Sequence, residues 1–167
     1  MILKIRFGRW KFMFSCSAIE DIVGVNSKIR EDEHILMWDF DNNNLDFVRA
    51  ELFGLQTIFE MPNIYILRTK VTGSYHAYCL HKTSFQDACM ILSGTSGIDM
   101  TYFRLGVTRG YWTLRISPKS GRDIELVDVL KSDVPEDVSV KDLKSFVIYE
   151  TLPDTARRKK IEIGGNR

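Results

Sequence analysis

The sequence predicts an α+β fold: a mixed or antiparallel sheet with flanking helices, in one domain over residues 1–150 followed by a basic tail over 151–167. Three observations lead there. Several short runs alternate apolar and polar residues with a period of two, the pattern of half-buried strands. Residues 44–60 instead carry apolar side chains three and four apart, the pattern of an amphipathic helix. No internal repeat or low-complexity linker divides the chain, and 167 residues can bury a core without staples.

Taken in order, Ile2-Leu3-Lys4-Ile5-Arg6-Phe7 alternates apolar and basic, Gly8-Arg9 interrupts, and Trp10-Lys11-Phe12-Met13-Phe14 resumes the alternation, which predicts a hairpin. Ser15 or Ser17 then offers an N-cap for a short helix through Ile19, Ile22 and Val23, with Glu20 and Asp21 in its first turn, where carboxylates suit the helix dipole. The apolar run at 34–40 predicts a buried central strand. Asn42-Asn43-Asn44 supplies turn and cap residues for the helix at 44–60, whose stripe is Leu45, Val48, Leu52, Leu55 and Phe59, and Pro62-Asn63 closes it.

Residues 64–69 and 75–80 read as two strands around the loop 70–74. Thr83 or Ser84 caps a helix with Phe85, Ala88, Cys89, Ile91 and Leu92 on its apolar face, ended by Gly94. Three further strands are expected at 98–107, 111–117 and 123–130, with Arg109-Gly110 and Ser120-Gly121 as turns. Residues 139–149 fit a short helix, a strand or both, and the tail from Arg157-Arg158-Lys159-Lys160 is expected to be loose.

A hydrophobic fraction of 44% with 27% charged residues is that of an ordinary soluble domain. No apolar run approaches the roughly 18 residues of a membrane span, and the N-terminus is not signal-like, so an intracellular, cytoplasmic protein without a membrane partner is expected. Cys16, Cys79 and Cys89 have neither the even count of a disulfide framework nor a zinc-binding spacing, and read as reduced packing residues. With a net charge of +1, contact with nucleic acid has to come from a local patch.

The chemistry concentrates at the end of the central strand, Met37-Trp38-Asp39-Phe40-Asp41. On an extended backbone Asp39 and Asp41 leave the same face, and adjacent carboxylates repel unless a cation sits with them; hard oxygen ligands suit Mg²⁺ or Mn²⁺. Among 13 Asp in 167 residues an Asp-x-Asp pair arises by chance about once, so the pair gains meaning only from its partners. These are Ser74-Tyr75-His76, whose Ser and His also share a face, and Ile98-Asp99, a third carboxylate. Metals holding a nucleoside triphosphate between the acids and the Ser–His pair would neutralise its charge, with Ser74, His76 and the Gly73 backbone on the phosphate oxygens.

In that order and with tens of residues between them, the three motifs resemble those of the archaeo-eukaryotic primase superfamily, which includes primase-polymerases of plasmids and viruses. The resemblance covers roughly residues 30 to 120. It implies a palm like an RNA-recognition-type sheet, metal ligation and catalysis by Asp39, Asp41 and Asp99, and triphosphate contact by Ser74 and His76. The chain lacks a zinc-binding Cys/His cluster and a helicase, and has little room after residue 150 for an accessory helical domain, which puts priming from scratch in doubt before the metal chemistry.

Arg115 and Lys119 are further candidates for nucleotide binding, reaching the incoming phosphate or the template, against a reading as solvated strand-edge charges; Arg68 and Lys70 beside the Ser-x-His loop are similar. His34 and His81 have no ligand-spaced partner and are not expected to bind metal. Trp38 reads as core, as do Trp112, Tyr111 and Tyr102 by default, although open aromatics would stack on bases. Tyr75, Tyr78 and Tyr102 are the tyrosines to inspect for discrimination against a 2′-hydroxyl. The expected function is a small DNA primase or primase-polymerase core in plasmid or viral DNA replication, working on single-stranded or primed DNA with NTP or dNTP, alongside a helicase or other replication proteins. Two alternatives stand beside it: a metal-dependent nuclease or phosphohydrolase, and a nucleic-acid-binding replication subunit without catalysis.

Overall fold

A computed structural model describes residues 2–15, 19–70, 73–119, 123–151 and 160–162. The elements are β1 (Ile2–Phe7), β2 (Trp10–Ser15), β3 (Ile19–Asn26), β4 (Lys28–Arg30), β5 (Glu33–Asp41), α1 (Leu45–Ile58), β6 (Ile64–Lys70), β7 (Ser74–Thr83), α2 (Phe85–Ser93), α3 (Met100–Arg109), β8 (Thr113–Arg115), β9 (Glu125–Leu130), β10 (Ser145–Thr151) and β11 (Lys160–Glu162), with a 3₁₀ turn at Val140–Asp142. The fold is mixed α+β, with antiparallel sheets and three α-helices among the described residues. None of these helices is long and apolar enough to cross a membrane.

Contacts divide the chain into two units, Ile22–Ile148 and Met1–Asp21 together with Tyr149–Arg167. In the latter, β1 and β2 form the hairpin expected from the alternation, and β11 runs parallel to β1. Of the tail expected to be loose, Lys160–Glu162 is thus a strand, and most of the remainder lies outside the described residues.

The larger unit holds a five-stranded sheet of order β4-β5-β7-β6-β9, every neighbouring pair antiparallel. Strand β5 lies inside it because both its faces are apolar. Leu36, Trp38 and Phe40 pack with Val48 and Leu52 of α1 and Ala88, Ile91 and Leu92 of α2. Ile35 and Met37 point the other way, into a second cluster with Val25, Ile29, Tyr78, Leu80 and Leu114, where β8 pairs antiparallel with β3. The one polar atom of Trp38 is satisfied: its indole N–H donates to Thr95 Oγ1 at 3.1 Å. Strand β5 stops where Asn42 turns left-handed, at φ 62°, a conformation Asn tolerates better than most residues.

Caps fix the helices. Asn44 and Ser84 accept from Phe47 N and Asp87 N at the starts of α1 and α2, so Ser84 and not Thr83 is the cap of the second. Cys79 is buried and Cys89 half-buried, neither paired with another sulfur; Cys16 lies outside the described residues.

Three expectations are corrected. The strand expected at 98–107 is the helix α3: Asp99 caps its N-terminus, Tyr102, Phe103 and Gly106 turn inward at helical spacing, and Gly110 ends it at φ 78°. Arg109-Gly110 is therefore a helix end and not a hairpin turn. The helix expected after Ser15 or Ser17 is the strand β3, where Ile22, Val23 and Val25 are β-branched and Gly24 interrupts any helical run; residues 16–18 lie outside the described residues. The strand expected at 111–117 shortens to Thr113–Arg115. Residues 139–149 contain both the helical turn and a strand, β10, and Ser120-Gly121 lies outside the described residues.

Candidate functional site

Strands β5 and β7 are in a register that sets Asp39 opposite His76 and Asp41 opposite Ser74. Directly opposed residues of an antiparallel pair project from the same face. The two acids, the serine and the imidazole therefore share one face of the sheet, the one turned away from Trp38 and Phe40. Ser74 Oγ donates a 2.6 Å hydrogen bond to Asp41 Oδ1. His76 Nε2 stands 3.7 Å from Asp39 Oδ1, close enough for ionic attraction and too far for a hydrogen bond.

The His76 ring is held from behind. Its Nδ1 lies 3.2 Å from the Arg115 carbonyl, and since a carbonyl only accepts, Nδ1 carries a proton and Nε2 is the atom presented to Asp39. Tyr78 donates to the same carbonyl at 3.3 Å. Burial, with the charge of Asp39 behind it, holds the Tyr78 phenol well above its ordinary value, so it stays a neutral donor.

Asp99 reaches the site from the other edge of β5. Ile98 bridges Phe40, and Asp99 N donates to the Asp39 carbonyl at 2.8 Å. One carboxylate oxygen of Asp99 is engaged in the cap, accepting from Thr101 N at 2.7 Å and Tyr102 N at 3.4 Å. Asp39 and Asp99 line a cleft of about 240 Å³ together with Arg109 and Tyr111. Tyr102 also lines it, donating to the Met37 carbonyl at 2.8 Å; burial first, then Asp39, push its phenol up.

The sequence-predicted residues thus gather as follows. Asp39, Asp41, Ser74 and His76 are side by side, and Asp99 is bonded through its backbone to Asp39. Arg115 contributes its carbonyl to His76, while its guanidinium donates to the Ser117 carbonyl at 3.0 Å and the Thr69 carbonyl at 3.2 Å. Lys119 is half-buried four residues further on. Arg68, on β6, is paired at 2.6 Å with Glu125 on the edge strand β9. His34 is buried against Phe85 and Trp112, with Nδ1 3.1 Å from Ser27 Oγ, and His81 lies 3.6 Å from Asp137. Trp38 and Trp112 are both core.

Three carboxylates, with Asp41 and Asp99 on either side of Asp39, are the donor chemistry of a hard divalent cation. Among the described residues, however, no three His, Cys, Asp or Glu side chains stand together as a formed metal cage. Asp41 Oδ1 accepts from Ser74 and Asp99 Oδ1 from the helix cap, so both acids also have a structural partner.

Sequence reasoning misses Arg109 as a residue of the cleft, and it singles out Tyr78 for sugar discrimination but not for its bond to the Arg115 carbonyl. Arg109 is hidden when 98–107 is read as a strand; the signal for a helix is Asp99 followed by Thr101-Tyr102 and, ten residues on from Met100, a glycine. Comparisons of the chain with protein-family models, with curated proteins and with solved structures returned no match in any of the three.

Proposed function

We propose that the chain is a small nucleotidyltransferase of the primase-polymerase kind, extending or starting a strand on a DNA template. The observation that carries this reading is the in-register pairing of Asp39 with His76 and of Asp41 with Ser74. Acids and phosphate-binding donors alternate there across two neighbouring strands. A palm of the RNA-recognition type is the fold reading that accompanies it. In its support, β5 and β6 flank β7 in the sheet and are joined through α1, a split β-α-β arrangement. The likeness stops at β9, which pairs with β6 on the outside.

Mg²⁺ or Mn²⁺ held by carboxylate oxygens of Asp39, Asp41 and Asp99 would supply charge neutralisation and an acidified attacking hydroxyl. The chain's own residues do the rest. Ser74 turns its hydroxyl from Asp41 to a phosphate oxygen. His76, oriented by the Arg115 carbonyl, offers Nε2–H to the same phosphates when protonated. Tyr78 keeps its proton and holds that carbonyl in place. Arg115 ends β8, and with Lys119, four residues on, it contributes positive potential to the triphosphate.

The test uses purified chain with primed and unprimed DNA, labelled NTP or dNTP, and Mg²⁺ or Mn²⁺. Strand extension by wild type that disappears in the Asp39→Ala, Asp41→Ala double variant supports the reading; equal products from both remove it, and cleavage of the DNA in place of growth marks a nuclease. A second reading has its own observation: one oxygen of Asp41 already serves Ser74 and one of Asp99 a helix cap, as structural acids would. A non-catalytic replication subunit would bind DNA indifferently to EDTA and incorporate nothing.

A further inference from the structure

The hairpin of β1 and β2 has a composition unlike the rest of the chain. Residues 2–15 contain Lys4, Arg6, Arg9 and Lys11 and no acid at all. The imbalance extends to the whole smaller unit: Met1–Asp21 with Tyr149–Arg167 holds nine Lys and Arg against five Asp and Glu, net +4, whereas Ile22–Ile148 is net −3. A chain charge of +1 conceals this separation.

Register divides the hairpin by face. Ile5 opposes Phe12 and Phe7 opposes Trp10, so these four share one side; Arg6 opposes Lys11 on the other. The aromatic side is bare: Phe7 is 68% exposed, Trp10 63% and Phe12 48%. Three adjacent exposed rings on one face are more than isolated surface apolar residues, and mark a surface that meets something. At the tip, the Arg9 guanidinium carbon lies 5.7 Å from the Trp10 ring centroid, a cation held at the face of an aromatic ring.

We propose that this hairpin is a binding surface for single-stranded DNA. The partner must be anionic, because every charged residue of the element is basic, and must offer flat faces to exposed rings. An unpaired strand has both: phosphates for Arg6, Arg9 and Lys11, and unstacked bases for Phe7, Trp10 and Phe12. The choice of DNA over RNA rests on the proposed template-copying activity; the surface itself does not, and it stands whether or not Asp39 and Asp41 support catalysis.

The molecule carries its own reporter. Trp38 and Trp112 are almost wholly buried, so quenching of tryptophan fluorescence by oligo(dT) reports Trp10. The experiment titrates the full chain with oligo(dT), oligo(rU) and phosphatidylglycerol–phosphatidylcholine vesicles, in EDTA so that catalysis plays no part. Expected are quenching that Trp10→Leu abolishes and, by anisotropy of a labelled oligonucleotide, which needs no tryptophan, binding at least about fivefold weaker for Phe7→Ala, Trp10→Ala at an unchanged melting temperature, with a salt dependence that flattens in Arg9→Gln, Lys11→Gln by about 0.7 for each phosphate no longer neutralised. Equal affinity of wild type and the aromatic variant overturns the proposal. So does binding to vesicles without binding to DNA, or a preference for oligo(rU) of about tenfold or more.

Discussion

Ser74 and Asp41 oppose each other across β7 and β5, and the serine hydroxyl donates to the carboxylate at 2.6 Å. The hydrogen bond joins two of the sequence motifs, the acid of one and the serine of another. Because Asp41 is exposed while Ser74 is buried, water can replace the serine on the acid at little cost. Ser74→Ala should therefore lower stability by only about 1 kcal/mol in urea denaturation. Under the proposed function the same change raises KM for the nucleotide about tenfold with kcat less affected, since the triphosphate loses a positioning donor and the acids remain. An unchanged KM with full stability would leave Ser74 no part in substrate binding.

His34 gives the fold a pH dependence of defined sign. It is buried on the helix side of β5, and burial, then Lys28, lowers its pKa from 6.5, with Asp32 opposing. The neutral ring is the folded form. Its contribution is complete above about pH 6.5, where the unfolded ring is also neutral, and is lost as pH falls below that value and the unfolded chain takes up the proton first. Stability from chemical denaturation should fall as pH drops below about 6.5, by at most about 1.4 kcal/mol per pH unit from this group. His34→Gln removes that part of the slope, so the measurement is the difference between the two profiles.

How much of this is legible in the sequence follows from what each feature depends on. The central strand, α1, β6, β7 and α2 can be read because each carries an uninterrupted period of its own. Helix α3 cannot, since Ile98, Met100 and Tyr102 alternate as a strand would; its helicity is set by Asp99 and Gly110 at its ends. Strand β3 passes for a helix because Ser, Glu and Asp in that order imitate an N-terminus, while its pairing with β8 joins residues as far apart as Gly24 and Arg115, which no local pattern carries. In the site, the sharing of a face by Asp39 and Asp41 follows from period alone. That Asp39 meets His76, and Asp41 meets Ser74, is a matter of register between strands, and register is fixed by the whole sheet.

Gly106 is where α3 comes closest to the core. A Cβ there would fall far inside contact distance of Cδ1 and Nε1 of Trp112, whose ring stacks with Phe85 and Phe103 and has no room to retreat. Alanine is ordinarily the better helix former by up to about 1 kcal/mol. Here overpacking outweighs that gain, and Gly106→Ala should destabilise the chain by about 1–3 kcal/mol. Denaturation followed by tryptophan fluorescence checks it, because Trp112 is the ring displaced. A variant as stable as wild type would mean that α3 sits further from Trp112 in solution.

Asp99 has two jobs that substitution can separate. Its carboxylate caps α3 by accepting from Thr101 N and Tyr102 N, and its negative charge stands beside Asp39 in the cleft. Asparagine caps a helix about as well as aspartate but carries no charge; alanine does neither. Asp99→Asn should stay within a few tenths of a kcal/mol of wild type, whereas Asp99→Ala loses about 1 kcal/mol. If Asp99 holds a divalent ion, both variants lose nucleotide incorporation alike despite their different stabilities. If it is only a cap, activity tracks stability, and Asp99→Asn works as wild type does. Melting temperature and incorporation rate measured on the same three proteins therefore decide whether this acid belongs to the chemistry or to the helix.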